Sequence, residues 1–210
     1  ENDVNAGLYG ELRQGAARGF NHVVGVFPGT GIGGALVLDG KLYRGARGSA
    51  GEVGHMVVQP GGGISGTGQR GTLEGLAARG ALARELAFLA GIGKAPTVLA
   101  SAGTDIRAIR SGTIRDAWDA GEAAVREAVE HAAEIIGIAL ANLIAVLDPE
   151  LVVLGGGLVE KLDNRLIAPI KTAIIRHGMP ALVPDVQVRA AELGDYSVIH
   201  GAAALARESV

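Results

Sequence analysis

The sequence predicts an α/β fold in which a mixed sheet is flanked by helices. Three observations carry that prediction. Short apolar runs at 22–27, 151–154 and 186–190 alternate with segments of helical periodicity. Asp39-Gly40 stands between two apolar runs, a strong signal for a tight hairpin, so part of the sheet is antiparallel. The chain has 210 residues, 48% of them apolar and 20% charged, the balance of an ordinary globular domain with a real core.

The elements follow in order. Residues 4–17 read as a helix, with Leu8, Leu12 and Ala16 on one face and Gly19 ending it. Residues 22–27 form a buried strand, 28–34 a glycine loop, 35–38 a strand and 41–43 its hairpin partner. A glycine-rich loop fills 44–54, a further strand is expected at 55–59, and a second glycine-rich loop follows at 60–71. Helical patterning over 73–90 is broken near Gly80, and 94–111 is polar and mixed. The longest helix is 121–147; its second half is apolar nearly all round and so buried, and Asp148-Pro149 stops it. A strand at 151–154 leads into Gly155-Gly156-Gly157. A helix at 163–177, a strand at 186–190 and a helix at 197–208 complete the chain.

Composition excludes several functions. Net charge is −3 and pI about 6.0, which gives no footprint for nucleic acid. Without cysteine there are no disulfides, no Cys-ligated zinc and no thiol catalysis in this chain. The apolar stretch 135–147 is interrupted by Gly137 and Asn142 and is shorter than the ~18 residues of a membrane span. No signal-peptide pattern opens the chain. Glycine is 34 of 210 residues, more than twice the usual ~7%, and points to a site built from backbone. The first residue is Glu and the first Met is Met56, so a fragment of a longer protein is expected.

Five groups of residues could carry chemistry. Gly29, Gly31 and Gly34 fit a GxGxxG string. A dinucleotide fold needs that loop to open a helix, and here a hairpin follows. A strand–turn–strand loop whose N–H groups approach phosphates, with the Thr30 hydroxyl as a further donor, fits better; a plain tight turn remains the alternative. Gly155, Gly156 and Gly157 would let a flat ligand or phosphate come close, or simply turn the chain from strand to helix. Asn2 and Asp3 open a helix and could be caps; equally, a carboxylate beside a hydroxyl can act as general base. Glu52 and His55, with Gly54 between them as a bend, suit the grip on vicinal hydroxyls of a sugar. So does Glu74. A solvated Glu and a core His are the plain alternatives.

Together these strings are more specific than any one of them. Glu1-Asn-Asp-Val-Asn, Gly29-Thr-Gly-Ile-Gly-Gly, Gly40-Lys-Leu-Tyr-Arg-Gly, Ala50-Gly-Glu-Val-Gly-His-Met and Val153-Leu-Gly-Gly-Gly stand in one order along the whole chain. The chain thereby resembles the ROK family of sugar kinases and repressors, its glucokinase-type members above all. The resemblance implies an actin-like ATPase (ribonuclease H-like) fold and ATP-dependent phosphorylation, with Mg²⁺, of the 6-hydroxyl of a hexose, glucose first. It implies Asp3 as catalytic base, and Asn2, Glu52, His55 and Glu74 as sugar ligands. Gly29, Thr30, Gly31, Gly33 and Gly34 would form one nucleotide loop and Gly155 to Gly157 the other.

Two departures stand out. Ser65, Thr67 and Thr72 occupy the positions of three zinc-binding cysteines of the family, so no zinc or other structural metal is expected. Nothing matches the family's N-terminal phosphate loop. Residues 1–210 are therefore expected to be the large C-terminal lobe, with the catalytic helix at 3–18, the small lobe absent and the fragment inactive alone. The expected partners are a sugar and a nucleotide, in the cytoplasm, with no nucleic acid or membrane. Family members are commonly dimers, and helix 121–147 could serve core or interface. A sugar-sensing transcriptional regulator is the alternative function.

Overall fold

A computed structural model describes residues 2–208; Glu1 of the N-terminal string lies outside the described residues. The five-stranded sheet has the order β3-β2-β1-β4-β5. Strands β1 (Val23–Pro28), β2 (Ile32–Leu38) and β3 (Lys41–Leu42) are antiparallel neighbours. Strands β4 (Leu151–Leu154) and β5 (Gln187–Ala190) run parallel to β1. The sheet is therefore mixed, as the Asp39-Gly40 turn predicts. Asp39 (φ 52°) and Gly40 (φ 70°) both take the left-handed conformation that a two-residue hairpin turn requires.

Alternation along the strands feeds two cores. Val24, Val26, Leu36, Val152 and Leu154 face a large layer of helices. This layer comprises α2 (Leu73–Ala77), α3 (Arg79–Gly91), α4 (Pro96–Ala102), α5 (Ser111–Asp119), α6 (Ala123–Leu147), α7 (Gly157–Leu162) and α8 (Asn164–His177). Val23, Ala35, Val37, Leu151 and Val153 face α1 (Asp3–Gln14) and α9 (Ser197–Glu208). By length and composition α6 could cross a membrane, but 56% of its most apolar window is buried, which makes it the central core helix.

Two expectations need correction. Helix α1 ends at Gln14, not at residue 17 or 18. The Glu11 carboxylate takes the Ala16 N–H at 2.8 Å, and the Glu11 carbonyl takes both the Gly15 and Ala17 N–H groups, so the chain turns off early. The expected strand at 55–59 is a 3₁₀ turn at Val53–His55 followed by a single bridge from Val57 to Thr72. Val58 and Gln59 N–H both bond one carbonyl, that of Gly71, so no ladder can propagate. The break expected near Gly80 in the 73–90 helix is present, at Ala78. There the Arg79 N–H leaves the helix to bond the Gly29 carbonyl at 3.0 Å.

Candidate active site

The start of α1 is capped by Asn2, whose Oδ1 accepts the Asn5 N–H at 2.7 Å. Asp3 is exposed, and its Oδ1 accepts the Val4 N–H at 2.9 Å. Asn2 is thus a cap, as the plain reading has it, and Asp3 keeps a carboxylate in the open at the helix tip.

The predicted glycine loop is shorter than expected. Only Gly29, Thr30 and Gly31 form the turn; Gly33 and Gly34 already belong to β2. The antiparallel register carries the pairing to Pro28 and Ile32, which absorbs the two glycines into the sheet. The Gly29 N–H is spent on the Gly31 carbonyl at 2.8 Å. The tip of the turn instead presents the Thr30 hydroxyl, bonded to the Arg79 guanidinium at 2.6 Å.

The first residues of β2 draw several candidates together. The Ile32 N–H bonds Glu74 Oε2 at 3.2 Å. A side chain at Gly31 would overlap that carboxylate, and one at Gly54 would overlap the Ile32 carbonyl. A Cβ at Gly33 would stand 2.6 Å from Val4, and one at Gly34 2.6 Å from the Gly51 carbonyl. The absent side chains thus let α1, the 51–55 segment and Glu74 converge on one strand end. His55 Nε2 lies 3.9 Å from Glu52 Oε2, while its Nδ1 meets Gln69 Oε1 at 3.1 Å.

The positions predicted to replace cysteines are engaged elsewhere. Ser65 and Thr67 hydroxyls bond each other at 2.8 Å, and Thr72 caps α2 by accepting the Gly75 N–H at 3.1 Å. Hydroxyls committed in this way do not fit a zinc site. Among the described residues no group of three or more His, Asp or Glu could hold a metal ion.

Gly155 and Gly156 close on the end of β1. A Cβ at Gly155 would stand 2.7 Å from the Phe27 ring, and one at Gly156 (φ 81°) 2.8 Å from the Pro28 carbonyl. Gly157 meets open space. Beside it lies a cavity of about 280 Å³, whose walls include Asp3, Phe27, Gly156, Gly157, Gly194 and Asp195. It sits beyond the carboxyl ends of β1, β4 and β5, the customary ligand position in a sheet of this kind. Asp3 also borders a second cavity of about 520 Å³ with Asn2 and Arg44. Glu52, His55 and Glu74 line neither. A groove of about 550 Å³ between α8 and β5 is apolar and holds none of these residues.

Sequence reasoning missed Asp195 and Gly194 on the cavity wall, Arg79 at the turn, and Gln69 on His55. One signal was available: Gly194-Asp195 follows a strand, as the two predicted glycine loops do.

The sheet order and the crevice at the ends of its parallel strands define an actin-like ATPase fold. The chain belongs to the ROK family, whose model matches residues 1–209. It is 34% identical to a glucokinase of Halalkalibacterium halodurans, over 96% of this chain and 61% of that protein. A glucokinase of Thermotoga maritima is 33% identical over 100% of this chain and 66% of its own length. This chain therefore spans about two thirds or less of those relatives. A ROK glucokinase from Streptomyces griseus, solved with glucose and AMPPNP, matches with a TM-score of 0.87 and 33% identity, over 99% of this chain and 67% of that one. The xylose repressor of Caldicellulosiruptor bescii is 28% identical, over 98% of this chain and 51% of its own.

Proposed function

We propose that this chain is the large lobe of an ATP-dependent hexokinase that phosphorylates the 6-hydroxyl of a hexose, glucose first. The observation that carries the reading is the cavity in which Asp3 stands across from Gly156 and Gly157. A carboxylate and an open glycine backbone on one cavity serve proton removal and phosphate approach respectively. The likeness to glucokinases supports the substrate class.

In this reading Asp3 accepts the proton of the sugar hydroxyl as that oxygen attacks the γ-phosphorus, and the bond to ADP breaks in line. Asn2 keeps its cap through Oδ1 and has its amide N–H groups to offer a neighbouring hydroxyl. Glu52, His55 and Glu74 hold the sugar from the β2 side. The 6-hydroxyl must be carried from these residues to Asp3, a placement that the segment completing the full-length protein would help to enforce. Gly156 and Gly157 leave room for the nucleotide phosphates, as Gly157 has no atom within 4 Å of where a side chain would stand. Thr30 and Arg79 meet the phosphates from the β1–β2 turn. Mg²⁺ binds through one or two carboxylates plus phosphate oxygens. Asp195 and Glu160, the carboxylates besides Asp3 on the cavity wall, would hold it there, and the ion would neutralise phosphate charge. An enzyme that draws on ATP with Mg²⁺ would work in the cytoplasm.

A second reading, a sugar-sensing transcriptional regulator, is favoured by the full-span match to the xylose repressor. One experiment separates the two. The full-length protein is assayed for ADP release with ATP, Mg²⁺ and a panel of hexoses. Glucose-dependent turnover is expected, with kcat falling about 10²–10⁴-fold in Asp3→Asn while sugar binding persists. An Asp3→Asn protein with normal kcat refutes the role of Asp3. Sugar binding without any turnover turns the reading to a regulator.

A further inference from the structure

We infer that Glu11 is a positioning residue: its buried carboxylate fixes the 191–195 segment, and with it Asp195, against the helix that carries Asp3. The inference deepens the kinase reading and rests on it for its functional consequence.

Glu11 is fully buried, two turns beyond Asp3 on α1. Its Oε2 accepts the Ala16 N–H at 2.8 Å and the Glu192 N–H at 3.1 Å, and its Oε1 accepts the Leu193 N–H at 2.8 Å. All three donors are backbone. One belongs to the exit of α1 and two to the segment that follows β5. Such a group is costly to bury unless its acceptors are used, and here the surroundings are shaped to it. A Cβ at Gly15 would overlap Oε2 and crowd Leu193.

The segment itself has little to hold its shape. It leaves β5 through the Ala191 N–H bond to the Leu154 carbonyl at 2.8 Å, and its only regular feature is a 3₁₀ turn at Gly194–Tyr196. At its far end the Ser197 carbonyl lies against Gly10 of α1, where any side chain would overlap it. Ala191, Gly194, Asp195 and Ser197 nonetheless form one wall of the cavity that Asp3 shares. Glu11 does not line that cavity. It acts on the wall through the backbone, and two hydrogen bonds to consecutive amides set the segment's orientation as well as its distance. Of the residues assigned to sugar, Glu52 and His55 lie on the turn beside β2, Glu74 lies on α2, and Asn2 caps the start of α1; none of them bonds these groups. Loss of the clamp should therefore loosen the nucleotide wall selectively.

The test uses the full-length protein with Glu11→Gln, and Glu11→Asp as a second variant that keeps the carboxylate but withdraws it. Amide hydrogen exchange is read at 192 and 193, and binding of AMPPNP and of glucose is read by titration calorimetry well below Tm. Glu11→Gln sets an amide N–H against a backbone N–H. Exchange at 192 and 193 should quicken about tenfold and AMPPNP affinity fall about tenfold, the scale of one buried hydrogen bond lost, with glucose affinity unchanged. Glu11→Asp should fall between the two, and it decides the matter by the same readings where the Gln variant does not fold. Exchange at wild-type rates overturns the clamp. Equal weakening of AMPPNP and glucose also overturns it, because that is what a purely structural role would do. Wild-type protein that binds no AMPPNP ends the kinase reading, and the exchange rates then still decide whether Glu11 fixes the segment.

Discussion

Two walls proposed to serve the site, one on the cavity of Asp3 and one on the 44–72 segment, are built on different plans. The glycine wall, 155–157 with 191–195, hangs from the ends of β4 and β5; β4 pairs in register with β1 at the centre of the sheet, and β5 pairs with β4. Its shape follows from sheet geometry and from the absence of side chains. The wall proposed to grip the sugar hydroxyls, 44–72, contains one 3₁₀ turn and two isolated bridges. Beside backbone bonds such as that of the Val58 N–H to the Gly71 carbonyl, it is held by side-chain contacts: His55 to Gln69, Ser65 to Thr67, Thr72 to the Gly75 N–H, and Arg84 to the Ile64 carbonyl at 3.4 Å. The 155–157 loop is sensitive above all to added atoms, whereas the second wall, which also has crowded glycines, leans in addition on these side-chain hydrogen bonds.

Gly156→Val should therefore have the larger effect. Its φ of 81° is strained for any residue with a Cβ, and that atom would stand 2.8 Å from the Pro28 carbonyl. Backbone strain of this kind costs about 1–3 kcal/mol, and the displaced loop should also weaken nucleotide binding. Urea denaturation with an AMPPNP titration checks both. A variant with wild-type stability and affinity would show that the glycine wall tolerates filling, and the contrast would collapse.

Gln69→Ala probes the other wall. It removes the partner of His55 Nδ1 without adding bulk. The expected loss of stability is about 0.5–1.5 kcal/mol, with sugar KM rising and nucleotide KM unchanged. If sugar KM does not move while stability falls, the Gln69 contact braces the loop and does not orient His55 for sugar.

The difference between the walls also explains what could be read from the sequence. The short apolar runs of the strands, the Asp39-Gly40 turn, the central helix and the Gly155–Gly157 turn are local patterns, and each was legible. The 55–59 segment was not, because its short apolar run is that of a strand while the Val58 and Gln59 amides converge on Gly71. The end of α1 was not, because a carboxylate within the helix competes for the amides that would continue it. Asp195 and Glu11 are harder still. Glu11 bonds Glu192 across 181 positions of sequence, and neither residue belongs to a motif whose spacing implies a role. Asp3 and Glu74 stood out through strings around them, whereas the residues that orient the walls act through single backbone contacts.

Glu134→Gln should give the smallest effect and serves as a control outside both walls. Glu134 on α6 meets two residues of α8, His177 Nε2 at 2.5 Å and Arg176 Nη1 at 3.0 Å. The hydrogen bond from His177, helped by Arg176, holds its carboxyl below the ordinary value of 4.5. A carboxyl lowered on folding stabilises the fold above its unfolded value, and that contribution is lost as pH falls through the folded value. The pair is solvent-accessible, with Glu134 at 30% exposure and His177 at 36%, so the stabilisation is about 1 kcal/mol or less. Denaturation at neutral pH should separate wild type from Glu134→Gln by that small amount, and the gap should close on acidification below the carboxylate range. AMPPNP and glucose affinities should stay as in wild type. A change in either would mean that the α6–α8 contact reaches the site through the core, and the two walls would no longer be independent of the helical layer behind them.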